Sequence, residues 1–79
     1  MRVPRDADSS QLIKLLQHYG YVVVRQTGSH IRLSKNLPCG SHNITVPDHQ
    51  PIKIGTLQSI AKDVCKSNGL LVSDFYKQL

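Results

Sequence analysis

The strongest constraint on the fold is a pair of short strand-forming runs, Tyr21-Val22-Val23-Val24-Arg25-Gln26 and His30-Ile31-Arg32-Leu33-Ser34, separated by Thr27-Gly28-Ser29. β-branched residues in the first run, alternation in the second and a glycine between them signal a β-hairpin. With the turn centred on Thr27-Gly28, Gln26 faces Ser29, Arg25 faces His30, Val24 faces Ile31, Val23 faces Arg32 and Val22 faces Leu33. Directly opposed residues share a face. Val22, Val24, Ile31 and Leu33 are therefore expected to point inward, and Tyr21, Val23, Arg25, His30, Arg32 and Ser34 outward. A slip of one residue would invert every side chain, so this clean separation supports the register.

Helical signals flank the hairpin. In residues 9–19, Leu12, Leu15, Leu16 and Tyr19 recur at the spacing of an apolar helix stripe. Asp8, Ser9 or Ser10 can cap its start, and Gly20 falls where a left-handed terminus belongs. Residues 35–41, with Asn36, Pro38 and Gly40, read as a loop, and 43–46 as a third strand with Ile44 and Val46 inward, ended by Pro47. Residues 48–54 read as a connection. Thr56 is then expected to cap a second helix with the stripe Leu57, Ile60, Ala61 and Val64, ended by Asn68-Gly69, and a short last turn follows Ser73. The order α-β-β-β-α predicts an α+β fold, a three-stranded antiparallel sheet with helices on one face and the other face open. Residues 1–79 read as one domain without repeats or linkers. A chain this short buries roughly 60% of its unfolded surface, which argues against a deep pocket and large-cofactor chemistry.

Charge is distributed unevenly. The chain has 10 Lys+Arg against 5 acids, a formal net charge of +5. No acid occurs between Asp8 and Asp48, an interval holding Lys14, Arg25, Arg32, Lys35, His18, His30 and His42. Elsewhere Arg2, Arg5, Lys53, Lys62, Lys66 and Lys77 nearly balance the five aspartates, 6 − 5 = +1. A local positive field attracts polyanions, nucleic acid first among them; a solubilising surface is the plainer alternative. The longest apolar runs, 21–24 and 69–72, are four residues each, far below the ~20 that span a bilayer. With a charged N-terminus lacking an apolar run, the expectation is a cytoplasmic protein with no membrane association.

The motif inventory narrows the chemistry. Cys39 and Cys65 have no paired spacing and read as reduced thiols. Cys39 and His42, with Cys65 on a helix, do not make a tetrahedral metal site. There is no glutamate, so paired-carboxylate and two-metal cleavage lack ligands, and neither a metal nor a small-molecule cofactor is expected. Histidine remains. His18 is read as a solvated helix residue and His42 as a loop residue. His30 starts a strand just after Gly28-Ser29, beside Arg25 and Arg32, a constellation suited to phosphate. His49, after Val46-Pro47-Asp48, either reaches the same end of the sheet or only hydrogen-bonds its loop.

The string Gly20-Tyr21-x-x-x-Arg25-Gln26-x-Gly28-Ser29-His30, followed by Val46-Pro47-x-His49, Gly55-Thr56-Leu57-x-x-Ile60, Gly69-Leu70 and Phe75, resembles the HicA (YcfA-like) toxin family over nearly the whole chain. The resemblance implies a fold like the double-stranded RNA-binding domain, mRNA interferase activity independent of translation, and neutralisation by a HicB-type antitoxin. It carries the catalytic histidine over to His30. The segment Asn36-Leu37-Pro38-Cys39-Gly40-Ser41 departs from the family's short polar linker, and there the resemblance implies nothing about contacts. RNA supplies its own nucleophile, so a base near pH 7 and cations for the phosphate suffice for cleavage. On this reading His30 takes the 2′-OH proton. Arg25, Arg32 and Lys35, with Gly28 and Ser29, hold the phosphate. The second proton carrier is open among His49, Ser29 and water, and turnover is expected to be slow. Two readings compete: an RNA-binding module without catalysis, and a protein-docking platform for an acidic partner. Tyr21 is the one aromatic residue expected on the open face, which points to weak base selectivity.

Overall fold

A computed structural model of the protein describes residue 4 and residues 6–79; residues 1–3 and 5, which include Arg2 and Arg5 of the charged N-terminal stretch, lie outside the described residues. The elements run α1 (Ser9–His18), β1 (Val22–Thr27), β2 (His30–Leu37), β3 (Gly40–Pro47), α2 (Ile54–Asn68) and α3 (Val72–Lys77). The three strands form one antiparallel sheet in the order β1-β2-β3, and the α+β layout is the expected one, with α3 added at the end. Among the described residues no helix is long and apolar enough to cross a membrane.

Both ends of α1 follow from sequence. The Asp8 carboxylate accepts from the Gln11 backbone N–H at 2.9 Å, while the Gln11 side chain accepts from the Asp8 N–H at 2.9 Å, a reciprocal capping box. At the other end Gly20, at φ +100°, donates to Gln17 C=O at 3.0 Å, and the Tyr21 N–H donates to Leu16 C=O at 3.0 Å. These two bonds are the Schellman arrangement, which needs a residue in positive φ at Gly20. It reverses the chain and drives the Tyr21 ring into the core, where 1% of the residue is exposed. Tyr21 is thus not on the open face.

The core gathers Leu12, Leu15 and Leu16 from α1, Ile31 and Leu33 from β2, Ile44 and Val46 from β3, and Leu57, Ile60, Ala61 and Val64 from α2, with Phe75 of α3. The alternation of β2 and β3 therefore reads correctly. That of β1 does not. Val22 and Val24, expected inward, are 58% and 56% exposed: Val22 pairs with Ser34 instead of Leu33, which turns it to the open face, and α1 and α2, packed over β3, give β1 no comparable cover on the other. The helices close over one end of the sheet's width, and β1 stands out as an arm held by β2.

Three further boundaries differ from expectation. Residues 35–41 are not a loop: β2 continues to Leu37, which pairs with Gly40 across a two-residue turn at Pro38-Cys39, and Gly40 takes φ +129°. Proline cannot pair within a ladder but fits a turn, so Asn36-Leu37 can remain extended up to it. As a result His42 lies in β3 opposite Lys35. The second helix begins at Ile54, with Lys53 at its N-cap and no side-chain cap, so Thr56 is inside its first turn. α3 starts at Val72, just before Ser73.

Between the sheet and α2 runs a chain of side-chain hydrogen bonds. The Lys35 ammonium donates to Asn68 Oδ1 at 2.6 Å, Asn68 Nδ2 donates to Tyr21 Oη at 3.0 Å and to the Val64 carbonyl at 2.8 Å, and Tyr21 Oη lies 2.5 Å from His42 Nδ1. His42 Nε2 is 3.2 Å from Asp63 Oδ1. Every donor finds an acceptor when the His42 proton is assigned to Nε2, so that Tyr21 donates to Nδ1. Burial raises the tyrosine pKa, which keeps the phenol a donor. A Tyr21→Phe variant keeps the ring but leaves Asn68 and His42 each short of a partner. It is expected to lose about 1–3 kcal/mol of stability, read as a lower urea midpoint with an unchanged slope.

The α1 cap makes a second prediction. The Asp8 carboxyl is held below its ordinary pKa, first by the Gln11 N–H and then by the Ser10 hydroxyl. A depressed folded-state pKa contributes stability above the unfolded value and loses it as pH falls through the folded one. Asp8→Asn, which still caps, should flatten the acid limb of stability between those two values, measured by denaturant midpoints across a pH series.

Candidate active site

The β1–β2 hairpin sets the geometry of the open face. The turn is centred on Gly28-Ser29, one residue beyond the expected centre, and Thr27 pairs with His30. Gly28 takes φ +57°, the left-handed region that a side chain disfavours. Further along, Arg25 pairs with Arg32 and Val23 with Leu33, leaving Val24 without a partner as a bulge. The expected pairing of Arg25 with His30 is thereby replaced. Both facts have one cause: the turn lies one residue further along, which shifts the pairing near the tip by two positions, and the bulge takes back one of them, so that Val22 comes to pair with Ser34 instead of Leu33.

The result still collects the phosphate-directed residues on one face. On β2, Ile31 and Leu33 are buried against the helices, so His30, Arg32 and Ser34 alternate to the open side. Across the sheet, Thr27–His30–Pro47 make one row and Arg25–Arg32–Thr45 the next, about 7 Å apart along the strand at ~3.4 Å per residue. His30, Arg25 and Arg32 are all exposed. Among the described residues the single ion pair is His42–Asp63, so no carboxylate reaches either arginine or His30. Two arginines directly opposed across a strand pair repel one another. Their shared excess charge is matched to an anion that bridges them.

Backbone bonds hold the rest of this end in place. After Pro47 ends β3, the Asp48 N–H donates to Ser29 C=O at 2.6 Å, and the His49 carbonyl accepts from the Ser9 N–H at 3.2 Å. The Asp48 carboxylate takes the Ser9 hydroxyl at 2.9 Å, so it is turned toward α1. His49 is exposed and lies in the segment tied to Ser29, at the same end of the sheet as His30.

Lys35 is placed elsewhere. It is on the alternation of Ile31 and Leu33, facing the helices. There its ammonium bonds Asn68 and lies 5.8 Å from the Tyr21 ring centre. His18 is exposed on α1. His42 belongs to the polar chain against α2, a role with no local sequence signal because its partners Tyr21 and Asp63 are each 21 residues away. Both cysteines are free, Cys39 exposed and Cys65 buried; burial raises the Cys65 thiol pKa, which makes it a packing residue.

A small α+β domain with a basic, uncovered sheet face defines the class. The family model for the HicA toxin of bacterial toxin–antitoxin systems matches residues 9–64, more than half of the chain. The protein belongs to the HicA toxin family, and membership implies an antitoxin partner. No curated protein and no solved structure matches the chain.

The opposed arginines make a prediction that needs no substrate. Arg25→Gln should raise stability by about 0.2–1 kcal/mol, the range for a cross-strand pair. The gain should shrink as salt is raised from low to molar concentration, as followed by urea titration at each ionic strength.

Proposed function

We propose that this toxin is an mRNA interferase, a single HicA-like domain that cleaves RNA with His30 and without a metal, and is neutralised by a HicB-type antitoxin. The observation that carries the reading is the opposed, unpartnered pair Arg25 and Arg32 in the row next to the exposed His30. A cross-strand arginine pair costs stability where nothing binds it, and such local conflicts mark sites of function.

In the proposed step the His30 imidazole accepts the proton of the ribose 2′-OH. The O2′–P bond forms, the P–O5′ bond breaks, and the products are a 2′,3′-cyclic phosphate and a 5′-hydroxyl. The departing O5′ takes its proton from His49, the Ser29 hydroxyl or water. Arg25 and Arg32 bear the charge that develops on the phosphoryl oxygens. Gly28 serves the backbone approach: a Cβ there would meet nothing within 4 Å, so its role is the turn and the open space above it. Lys35 is committed to Asn68 and Tyr21 and is left out of the phosphate set in this reading. With Tyr21 buried, the face offers phosphate contacts and no stacking ring, consistent with weak base selectivity. No hydrogen bond orients the His30 ring among the described residues, in keeping with slow turnover.

The test is incubation of end-labelled RNA with wild type and His30→Ala, both checked by circular dichroism, with and without EDTA. Wild type should cleave in both conditions and leave a cyclic phosphate, and His30→Ala should fall by about 10²–10⁴-fold, the contribution of a general base. Cleavage abolished by EDTA would refute the metal-free step. RNA bound by both proteins with equal salt dependence and cut by neither would make this a binding module.

A further inference from the structure

Among the described residues, β1 is an edge strand with nothing on its outer side. It is hydrogen-bonded to β2 alone, the helices pack over β3, and all six of its residues are exposed. Three consecutive valines, Val22, Val23 and Val24, stand 58%, 43% and 56% in solvent. An unpaired, apolar edge is a template for another strand, and proteins usually blunt such edges with lysine or proline. β1 carries neither. Beside it lies a shallow hollow of about 460 Å³ lined by Gly20, Val22, Val24, Ser34, Lys35 and Asn36, sized for an apolar side chain with a polar neighbour.

The charge around this edge selects the occupant. From Ser9 through Pro47 there is no acid, so α1 and the whole sheet carry only positive charge. A second copy of the chain would bring the same basic edge against this one. RNA has no backbone N–H and C=O ladder to pair with, and it gains nothing from three valines. We infer that the outer edge of β1 is a docking site for an extended, acidic segment of a partner protein that is rich in β-branched apolar residues and joins the sheet as a fourth strand. Alternate side chains of such a strand fall on opposite faces. Those on the open face lie beside Val22, Val24 and the hollow and, toward the tip, beside Arg25. The bulge at Val24 adds local twist, which disfavours long flat strands and limits indiscriminate pairing. Six residues of β1 span about 20 Å, so a docked strand runs from the hollow toward the Thr27–His30 tip and places an acid beside Arg25. This inference extends the proposed function by a protein-binding surface and does not depend on cleavage.

The experiment is panning of a ribosome-displayed random decapeptide library on the full chain, followed by fluorescence anisotropy with the enriched peptides. Enrichment of sequences that combine Asp or Glu with Val, Ile or Thr is expected. Affinity should fall at least tenfold in Val22→Lys/Val24→Lys, two exposed positions that leave the core intact, and stay within twofold in His30→Ala. Amide hydrogen exchange on the wild-type protein, which needs no variant, should slow within β1 when peptide is added. Four outcomes would overturn the inference: no enriched peptide, enriched peptides without acidic residues, binding indifferent to the valine substitutions, or β1 amides protected by raising the protein concentration alone, which would assign the edge to a second copy.

Discussion

The fold turns on where Tyr21 goes. The Schellman bonds from Gly20 to Gln17 and from Tyr21 to Leu16 end α1 and aim the tyrosine inward, so β1 can begin only at Val22. The ring then fills the space beneath the sheet, and its hydroxyl is the middle link between Asn68 of α2 and His42 of β3. A buried phenol without partners would be costly. Here both its donor and its acceptor functions are met, and they join β2, β3 and α2 at one point. Lys35 at one end of that chain and Asp63 at the other supply charges of opposite sign, which polarise the neutral bonds between them. A residue at the border of helix and strand thus sets the entry of the sheet and docks the second helix.

How much of this is legible in sequence depends on whether a residue's surroundings are local. The α1 caps and both helix stripes are written in neighbouring residues and are read correctly. β2 is central, and its alternation Ile31, Leu33 is fixed by a covered face. β1 differs in kind. Val22-Val23-Val24 has no alternation, and an edge strand that no helix covers gains nothing from either phase, so its register is set by the turn and the bulge. Pairing Val22 with Leu33 would put it on the core face, but the displaced turn pairs it with Ser34 instead, and two helices resting on β3 offer β1 no cover that would oppose the change. The candidate site was legible in composition, since His30, Arg25 and Arg32 do share one face, but not in contact order, because Arg25 meets Arg32. Lys35 misled because its charge is visible in the sequence and its partner Asn68, 33 residues away, is not.

The acids explain why the open face keeps its charge. Asp8 is occupied by the α1 cap, Asp48 by the Ser9 hydroxyl and Asp63 by His42, while Asp74 sits in the first turn of α3. Each has a structural task at a helix or against one. None of these four is placed on the sheet's outer face, and among the described residues no carboxylate pairs with Arg25 or Arg32 there. Exposed arginines in water contribute little to a fold, and these two oppose each other, so their placement is better accounted for by an external anion than by stability.

The supports under the two halves of the site are unequal. His30 belongs to the central strand: it pairs with Thr27 on one side and Pro47 on the other, and the bond from Asp48 to Ser29 pins the turn beside it. Arg25 rides on β1, which has β2 as its one neighbour and a bulge next to it. Elements with few buried contacts open most readily. In the proposed mechanism the proton acceptor is therefore held while one of its two phosphate clamps is free to adjust, an arrangement that would suit a substrate recognised by its backbone more than by its bases. The same freedom leaves the outer edge of β1 available, so whatever pairs with that edge acts on Arg25 and leaves His30 where the rest of the sheet has put it.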